Sequence, residues 1–556
     1  MFRNSPWLDR YPKDVPGEVL LGGETLVSVF EKSAYKFQKH TAIEFLGTCI
    51  SYGELGEFVE RFAETLLACG VKRGDRVALC LPNCPEAVIA YFGILRVCGI
   101  VVACNPLYTE YELRHQLEDA KVVVLVVLDS VYEKVKNVSA RHHIIVRITE
   151  FLSLIKKIGA RIKLGKAPRI EKNSNTLFFM DCIGRTARSR GSFPAAYGED
   201  CALLQYTGGT TGSVKGAMLT HRNLVANVRQ LIAWFKRVQD GEERFAAILP
   251  LFHIFGMTVT QNMCLALGGT MILVPDPRNQ KFLRYAIIQK KATVITLVPR
   301  LYQLLTKILS SNDLSSIKYC VSGGAGLPPV LFEEFFQKFG KKIVEGYGLS
   351  EASPVTHCND PESPIKGVIG VPIPNTIASI RDDDGNECPQ NIVGELCVRG
   401  PQIMKGYWQN NEETAAIFTV DGWLKTGDMA RMGDDGLFYI VDRKKDMILS
   451  DAGFNVYPSE VEAALKQHPA IQDAAVISVP IEGRERIKAF VVSKDGVQAV
   501  TERELIAFTK NFLAHYKIPR VIEFRSEIPY SVIGKPLRRV LREEEIQKIK
   551  SVKSAE

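Results

Sequence analysis

Short apolar runs alternate with helix-like segments over two long stretches of the chain. Residues 25–130 contain the runs RVALCLP (76–82), GIVVACNP (99–106) and KVVVLVVLD (121–129). Residues 244–340 repeat the rhythm with FAAILPLF, GGTMILVP, ATVITLVP and SIKYCVSGGA. Proline or glycine follows most of these runs, as expected where a strand ends in a turn. The alternation predicts an α/β fold in which helices flank mostly parallel sheets.

The pattern changes near residue 366. From about 366 to 441, short strand-like segments are joined by turns such as DDDGNE and GDDG, which predicts a small β subdomain of hairpin-like connections. The charged cluster DRKKD follows, and we interpret 442–446 as a hinge. The sequence thus predicts a large N-terminal domain over 1–441 and a small mobile α+β domain over 447–556.

Composition places the chain among ordinary globular proteins. A chain of 556 residues is too long for one compact core, and its 46% hydrophobic and 24% charged residues are typical of soluble domains. The N-terminus lacks the apolar stretch of a signal peptide, and the run Val122–Leu128 is too short to cross a bilayer. Thirteen cysteines are scattered without a CxxC pair, which favours buried free thiols in the cytoplasm.

Positive charge concentrates in one place, the segment 151–190, although the net charge of the whole chain is only +8. Within FLSLIKKIGARIKLGK the apolar residues recur at helical spacing, which indicates a basic amphipathic helix inserted into the N-terminal domain. Such a helix can lie on an anionic membrane surface, or it can pack its apolar stripe on its own domain. The sequence leaves both interpretations open.

The segment YTGGTTGSVKGAMLTHRN (206–223) has the composition of a phosphate-binding loop. Its glycines let main-chain amides converge, its hydroxyls add donors, and Lys215 supplies a positive charge. It does not fit the GxxxxGK[ST] pattern, because Val214 precedes the lysine and Gly216 follows it. Taken alone, the segment is either another kind of phosphate loop or a flexible turn.

Six further segments, taken in their order along the chain, indicate a specific function for this loop. They are LPLFHIFG (249–256), SGGAGLP (322–328), EGYGLSEASP (345–354), WLKTGD (423–428), VDRKKDMILSDAGFNVYPSEVE (441–462) and YSVIGKPLRR (530–539). Together with the loop they resemble the acyl-adenylate-forming enzymes, a superfamily that includes acyl-CoA synthetases, luciferases and peptide-synthetase adenylation domains. The resemblance implies that a carboxylate is joined to the α-phosphate of ATP, with Mg²⁺ and coenzyme A also taking part.

The resemblance also assigns roles to individual residues. The triphosphate is expected to contact Thr207, Gly208, Gly209, Thr210, Thr211, Gly212 and Lys215. The adenine and acyl groups are expected near Gly323, Gly324, Ala325, Glu345, Gly346, Tyr347, Gly348 and Ser350, with Tyr347 stacked on the base. Glu351, with Thr207, would bind the magnesium ion, while Asp428 and Arg443 would contact the ribose.

Lys535, Glu351 and His253 are the catalytic candidates, Glu351 through the magnesium ion that it would bind. Lys535 resembles the mobile cation that bridges the carboxylate and the α-phosphate, and His253 resembles a residue near the acyl entry that positions the substrate. A carboxylate is already ionised at neutral pH, so no general base is required. Lys445 corresponds to the hinge and Gly453 to the coenzyme A channel, although the turn SDAG is one residue longer than is usual in the family.

The closest resemblance is to bacterial long-chain fatty acid–CoA ligases, which share PWLDRYP, TGGTTGSVKGAMLTHRN and GFNVYPSEVE. The alternatives are a fatty acyl-AMP ligase that passes the adenylate to a carrier protein, and a medium-chain or aryl acid–CoA ligase. A non-catalytic fatty-acid-binding protein is disfavoured, because Thr207, Glu351, Asp428, Arg443 and Lys535 are all present. No nucleic-acid partner is indicated, and the oligomeric state is left open, a homodimer being one option.

Overall fold

A computed structural model of the protein describes most of the chain. It covers residues 5–153, 156–157, 168–184, 193–208, 214–449, 455–481, 484–494, 496, 500–531 and 536–553. The chain forms two compact units. The first comprises residues 1–377 and 399–418, and the second comprises residues 378–398 and 419–556.

The strands follow the apolar runs seen in the sequence. In chain order they are β1 Thr41–Phe45, β2 Thr48–Ser51, β3 Arg76–Cys80, β4 Ile100–Ala103, β5 Val122–Leu128, β6 His142–Val146, β7 Thr176–Phe178, β8 Cys201–Gly208, β9 Val214–Thr220, β10 Arg244–Ala247, β11 Thr270–Leu273, β12 Val294–Leu297 and β13 Tyr319–Ser322. They continue as β14 Ile343–Gly348, β15 Val355–Cys358, β16 Val371–Pro372, β17 Ile377–Arg381, β18 Gly394–Arg399, β19 Leu424–Met432, β20 Phe438–Arg443, β21 Ile448–Leu449, β22 Asn455–Val456, β23 Ile471–Ile481, β24 Arg484–Ser493 and β25 Val521–Phe524.

The α-helices lie between these strands. They are α1 Leu26–Lys36, α2 Tyr52–Ala68, α3 Pro85–Arg96, α4 Glu110–Asp119, α5 Tyr132–Val135, α6 Phe179–Ile183, α7 His221–Trp234, α8 Met263–Ala266, α9 Gln280–Arg284, α10 Pro299–Ile308, α11 Pro329–Phe339, α12 Asn411–Ile417, α13 Pro458–Lys466, α14 Glu502–Thr509 and α15 Arg538–Lys553. Several begin at a reciprocal capping box, such as Ser51 with Glu54 and Thr109 with Glu112, which satisfies main-chain amides of the first turn.

Two large sheets form the first unit. Among the described residues one sheet has the order β16-β15-β14-β13-β12-β10-β11-β1-β2 and the other β7-β6-β5-β3-β4-β8-β9. The central strands of each are parallel, as in β12–β13–β14 and β3–β5–β6. Each sheet packs against helices through its own buried apolar cluster. The predicted α/β architecture is confirmed.

The second unit contains smaller sheets. Within its described residues β17-β18-β19-β20 form one sheet, β23-β24-β25 another, and β21 pairs with β22. The hairpin-like connections predicted for residues 366–441 correspond to the antiparallel pairs β18–β19 and β19–β20. Helices α13 and α14 contribute to a buried cluster with β23 and β24. Helices α13 to α15 and strands β21 to β25 lie within residues 447–556, the range predicted to be a small α+β domain, and the β17–β20 sheet, predicted as part of the N-terminal domain, belongs to the same compact unit as these residues. The predicted domain boundaries stay predictions.

Two predictions about organisation stay predictions. The proposed hinge, 442–446, begins inside β20 and continues into a 3₁₀ turn at Lys444–Asp446, within the second compact unit. Most of FLSLIKKIGARIKLGK, from the basic segment 151–190, lies outside the described residues. At the start of that segment the Phe151 ring packs edge-on against Phe58 of α2, with centroids 5.8 Å apart. In the described part of the chain, no helix combines the length and apolarity needed to cross a membrane.

Candidate active site

Three of the seven motif segments identified in the sequence meet at one edge of the larger sheet. Strands β10, β12, β13 and β14 are parallel, so the loops that follow their carboxyl ends lie at the same edge. Gly323 follows β13, and a Cβ atom there would lie 3.1 Å from the Phe255 ring and 3.3 Å from the Gly346 carbonyl oxygen. Its neighbour Gly324 has a φ of +81°, which favours glycine. The segments PLFHIFG, SGGAG and EGYG therefore form one surface.

Glu345 lies at the base of this surface and is buried. Its Oε1 accepts a hydrogen bond of 2.9 Å from the main-chain amide of Leu327, which fixes the loop after β13. Burial raises the pKa of Glu345 to about 8, because the low dielectric disfavours the charged form. At neutral pH this carboxyl group is therefore mostly protonated, and it supports the glycine loop as an uncharged hydrogen-bond acceptor.

Tyr347, the predicted adenine-stacking residue, is two residues further along β14. Its ring packs edge-on against His357 of β15, with centroids 5.8 Å apart. Burial lowers the pKa of His357 to about 3, so this imidazole stays neutral at physiological pH. A Cβ atom at Gly348 would lie 2.0 Å from the Pro354 carbonyl oxygen, so the turn after Tyr347 requires glycine. The ring of Tyr347 is held by a rigid hairpin.

Ser350 and Glu351 lie in a 3₁₀ turn, Ser350–Ala352, within the loop that joins β14 to β15. The Glu351 Oε1 accepts a hydrogen bond of 2.8 Å from the Tyr407 hydroxyl, and the Glu351 carbonyl accepts one of 2.7 Å from the Met404 amide. Burial and the Glu351 charge both raise the pKa of Tyr407, so its hydroxyl remains a proton donor. The Tyr407 hydroxyl therefore orients the carboxylate of Glu351, and the Met404 amide holds the main chain of the same residue.

The phosphate-loop candidate forms a hairpin on the second sheet. Strands β8 and β9 are antiparallel, and Thr207 is paired with Lys215 and Gly208 with Val214. The Lys215 ammonium forms an ion pair of 2.6 Å with Glu413 of α12 and lies 5.6 Å from the centroid of the Tyr407 ring. Its side chain is 15% exposed. The cation that the sequence assigns to phosphate is thus held between an acid and an aromatic face.

His253 lies in the turn after β10. Its Nδ1 accepts a hydrogen bond of 3.3 Å from the Phe255 amide, which leaves the proton of a neutral ring on Nε2. The Gln205 side chain of β8 donates to the neighbouring Phe252 carbonyl at 3.3 Å and so joins this turn to the second sheet. This placement agrees with the positioning role expected from the sequence, which stays a prediction.

The predicted ribose residues belong to the second unit. Asp428 of β19 is paired in register with Arg443 of β20, and the Arg443 Nε lies 2.7 Å from the Asp428 Oδ1. Lys444, next in sequence, forms ion pairs with Glu395 at 3.0 Å and Asp383 at 2.8 Å. Partial burial and the nearby Arg443 charge lower the pKa of Lys445. The structure brings Asp428 and Arg443 together, as their shared predicted role requires.

Several predicted residues cannot be placed. Gly209, Thr210, Thr211, Gly212, Gly453 and Lys535 lie outside the described residues. Conversely, the sequence analysis did not single out Tyr407, which contacts Glu351 and Lys215, or Glu413, which contacts Lys215. The only sequence signal was an aromatic residue after a glycine in KGYW and an acidic helix start in NNEET. Both patterns are too common to single out a residue.

The geometry also tests whether the site suits a magnesium ion. Within the described residues no group of three or more His, Cys, Asp or Glu side chains could hold a metal. Magnesium is usually bound by one or two carboxylates together with substrate phosphates, so the single carboxylate of Glu351 fits such an ion only when a nucleotide is present.

Parallel sheets with functional groups collected at strand ends, beside a glycine- and threonine-rich hairpin, define a nucleotide-binding α/β enzyme. The chain belongs to the AMP-binding enzyme family, whose model matches residues 30–408, and the model of the family's C-terminal domain matches residues 460–535. The resemblance seen in the sequence is confirmed.

Individual relatives extend over nearly the whole chain. A long-chain-fatty-acid–CoA ligase of Bacillus subtilis is 44% identical over 98% of this chain and 99% of its own length. One of Escherichia coli is 40% identical over 97% of this chain and 98% of its own. The crystal structure of an anthranilate CoA ligase in complex with anthranoyl-AMP superimposes with a TM-score of 0.83 at 26% identity, covering 96% of this chain and 99% of that one.

Proposed function

We propose that this protein is an AMP-forming long-chain fatty acid–CoA ligase. The observation that carries the proposal is the 44% identity to a long-chain-fatty-acid–CoA ligase over 98% of the chain. The arrangement of Glu351, Tyr347 and the glycine loop supports it, with Lys215 of the β8–β9 hairpin joined to Glu351 through Tyr407, because adenylation requires a bound triphosphate.

The proposed reaction has two balanced steps. A carboxylate oxygen of the fatty acid attacks the α-phosphorus of ATP and forms a new P–O bond. The bond between the α-phosphorus and the oxygen that bridges to the β-phosphorus breaks, and diphosphate leaves with that oxygen and the electron pair. The thiol sulfur of coenzyme A then attacks the acyl carbon, AMP leaves, and the thiol proton passes to solvent. Both partners of the first step are anions, so positioning and electrostatic stabilisation supply the catalysis.

Each residue has a role in this scheme. The hairpin from Thr207 to Lys215 holds the triphosphate, and Tyr347 stacks on adenine. Asp428 and Arg443 bind the ribose, and Glu351 binds magnesium, which when present neutralises phosphate charge. His253 orients the acyl group. Lys535 bridges the carboxylate and the α-phosphate.

The two steps follow one another in a single active site. The C-terminal domain, residues 447–556, turns about 442–446 between the steps, and Lys445 serves as the hinge position and Gly453 as part of the coenzyme A channel. Such closure excludes water from a reactive adenylate.

A carboxylic acid panel from C2 to C20 tests the substrate class. With ATP and magnesium, we expect diphosphate release to be greatest with long-chain acids and to depend on the acid. Adding coenzyme A distinguishes the rival, since a fatty acyl-AMP ligase would accumulate adenylate without forming a thioester. Absence of acid-dependent diphosphate release for every chain length would exclude the proposal.

Lys535 provides a sharper test of the two-step scheme. The variant Lys535→Ala should lose adenylate formation, because the charge that joins the two anions is gone, yet retain thioester formation from supplied acyl-AMP. Both half-reactions are measured separately, by diphosphate release and by acyl-CoA formation. An equal loss of both would assign Lys535 a different role.

We also propose that the protein is cytoplasmic and associates peripherally with an anionic membrane through the basic segment 151–190. Ten lysines and arginines in this segment against two acids support electrostatic attraction to such a surface. Replacing Lys156, Lys157 and Arg161 by glutamine should weaken binding to anionic vesicles and leave activity on soluble substrate unchanged. Vesicle binding that ignores both charge and salt would contradict this proposal.

A further inference from the structure

One segment, residues 404–414, joins the phosphate hairpin to the acidic turn at Glu351. Its main chain pairs with β9, because the Trp408 amide donates to the Gly216 carbonyl at 2.8 Å and the Met218 amide to the Gly406 carbonyl at 2.9 Å. At its start the Met404 amide donates to the Glu351 carbonyl at 2.7 Å. We refer to residues 404–414 as the bracing segment, since its main chain is bonded on both sides.

Two side chains of the bracing segment contact the charged groups of the site. The Tyr407 hydroxyl donates to the Glu351 carboxylate at 2.8 Å, and the Glu413 carboxylate pairs with the Lys215 ammonium at 2.6 Å. Tyr407 contacts both groups, because its ring face lies 5.6 Å from the Lys215 nitrogen. One aromatic residue therefore lies between a cation and an anion that come from different parts of the chain.

The positions of these side chains are themselves fixed. The Tyr407 amide donates to the Thr414 Oγ1 at 2.9 Å, and Thr414 in turn donates to the Asn410 carbonyl at 2.7 Å. The Asn410 side chain accepts a hydrogen bond of 3.0 Å from the Glu413 amide. Glu413 is therefore held on the first turn of α12, rather than on a loop whose position varies.

We propose that Tyr407 and Glu413 are positioning residues for the nucleotide. Glu413 orients the Lys215 ammonium towards the β- and γ-phosphates, and Tyr407 orients the Glu351 carboxylate. This inference rests on the proposed function, since it requires ATP as the ligand. It adds two residues, and a single structural element, to those that the sequence assigns.

The physical reason is the flexibility of lysine. A lysine side chain loses considerable rotamer entropy when it is fixed, and an ion pair formed before the ligand arrives removes part of that cost from binding. An ammonium has three donors, so Glu413 occupies one and leaves others for phosphate oxygens. Protein kinases use a lysine–glutamate pair in this way at their phosphate site.

A competing arrangement predicts the opposite sign. If Glu413 only neutralised Lys215 in the absence of nucleotide, ATP would have to displace it, and removing its charge would strengthen ATP binding. If Glu413 positions Lys215, removing its charge weakens ATP binding. The direction of the change in affinity therefore separates the two.

The experiment measures the dissociation constants of ATP and of AMP by calorimetry for the full-length protein and five variants. We expect Glu413→Gln to raise the ATP dissociation constant about three- to tenfold and to leave that of AMP within about twofold, because AMP lacks the β- and γ-phosphates. Glu413→Asp should recover part of the loss. Glu412→Gln is the matched control, since Glu412 is exposed, adjacent and equally charged.

Tyr407→Phe tests the other contact. It removes the hydroxyl and keeps the ring, so it should lower the affinity for ATP in the presence of magnesium more than the affinity for ATP with a chelator. The control is Tyr439→Phe, because the Tyr439 hydroxyl donates to the Asp435 carboxylate at 2.9 Å in the other unit.

The outcomes are distinguishable. Wild-type protein that does not bind ATP would overturn the proposed function as well as this inference. Unchanged or tighter ATP binding by Glu413→Gln, or an equal loss of ATP and AMP binding, would overturn the inference alone. Melting temperatures of all variants within about 2 °C of wild type show that the fold is intact. A larger drop for Glu413→Gln that is absent from Glu413→Asp would assign the Lys215–Glu413 pair a structural role and would also overturn the inference.

Discussion

Two clusters of charged side chains, one in each compact unit, differ in how their cations are held. In the first, which we call the phosphate-side cluster, Lys215 has one carboxylate partner among the described residues, Glu413, and an aromatic neighbour, Tyr407. In the second, the arginine cluster, Arg538 forms bidentate hydrogen bonds with Glu462 at 2.8 and 3.0 Å and reaches Asp446 at 3.2 Å and Asp442 at 3.9 Å.

The difference indicates which charge is available to a ligand. Three acids surround one guanidinium in the arginine cluster, and the Arg538 side chain is only 13% exposed. Removing such a cation leaves the buried Glu462 without its charge partner, while Asp446 keeps an ion pair with Arg542 at 3.3 Å. In the phosphate-side cluster an ammonium with a single ion pair retains donors for an anion. In the sequence both residues are cations near a glycine motif, whereas in the described structure one is paired with three acids and the other with one acid, and the proposed function assigns the second to the triphosphate.

The largest effect is expected from breaking the arginine cluster. Arg538→Ala should destabilise the second unit by about 3–5 kcal/mol, because Glu462, Asp446 and Asp442 lose their shared cation. Urea unfolding followed by a probe in that unit measures the change. Arg539→Ala is the matched control, since Arg539 is 60% exposed and pairs with Glu543, one turn along its own helix, at 3.3 Å, so its loss should cost less than about 0.5 kcal/mol. Equal effects from both arginines would contradict the distinction.

The next effect concerns activity rather than stability. Lys215→Ala should reduce the rate of adenylate formation about 100-fold, because a charge placed for the triphosphate is lost, and should change the free energy of unfolding by less than about 1 kcal/mol. Diphosphate release and urea unfolding measure the two quantities on the same variant. A large loss of stability with little loss of adenylation would make Lys215 a second structural cation and would remove the contrast with Arg538.

A smaller effect, on the pH dependence of stability, is expected at one of two buried glutamates. Glu345 is hydrogen-bonded to a main-chain amide, whereas Glu462 is bonded to a guanidinium. The pKa of Glu345 is raised from 4.5 to about 8, so between these pH values the folded state holds a proton that the unfolded state releases. Stability therefore falls as pH rises through this window, by about 1.4 kcal/mol per pH unit for this group.

Glu345→Gln should flatten this dependence, because glutamine cannot release the proton. Urea unfolding at pH 6 and pH 7 should show a difference smaller by about 1 kcal/mol in the variant than in the wild type. Glu334→Gln, an exposed replacement on α11, should leave the slope unchanged. The buried Glu86, whose pKa burial also raises to about 8, keeps its share of the slope in both proteins. An unchanged slope in Glu345→Gln would mean that Glu345 is ionised in the folded protein.

Local signals in the sequence predicted much of the fold. Apolar runs of strand length, closed by glycine or proline, indicated the parallel strands β3, β4, β5 and β10 to β13, because a strand buried on both faces needs apolar residues at successive positions. Helix starts at Ser51 and Thr109 follow from a hydroxyl residue with a glutamate three positions later. These features depend on neighbours in the chain, so the sequence alone specifies them.

The candidate site was only partly predictable for the same reason. Ordered motifs identified Glu351, Lys215, Asp428 and Arg443, since each lies in a distinctive short segment. Tyr407 and Glu413 were missed, because their partners are 56 residues away in the case of Glu351 and nearly 200 in the case of Lys215, and no local pattern marks such a pairing.

The sequence by itself determined the alternating elements, the glycine positions that turns require and the family to which the chain belongs. Only the tertiary structure decided which charged groups are paired and which can bind, because pairing depends on burial and on distances between residues far apart in the chain. Arg538 and Lys215 show this most directly: the same kind of charge is fixed by three acids in one place and held by a single acid in the other.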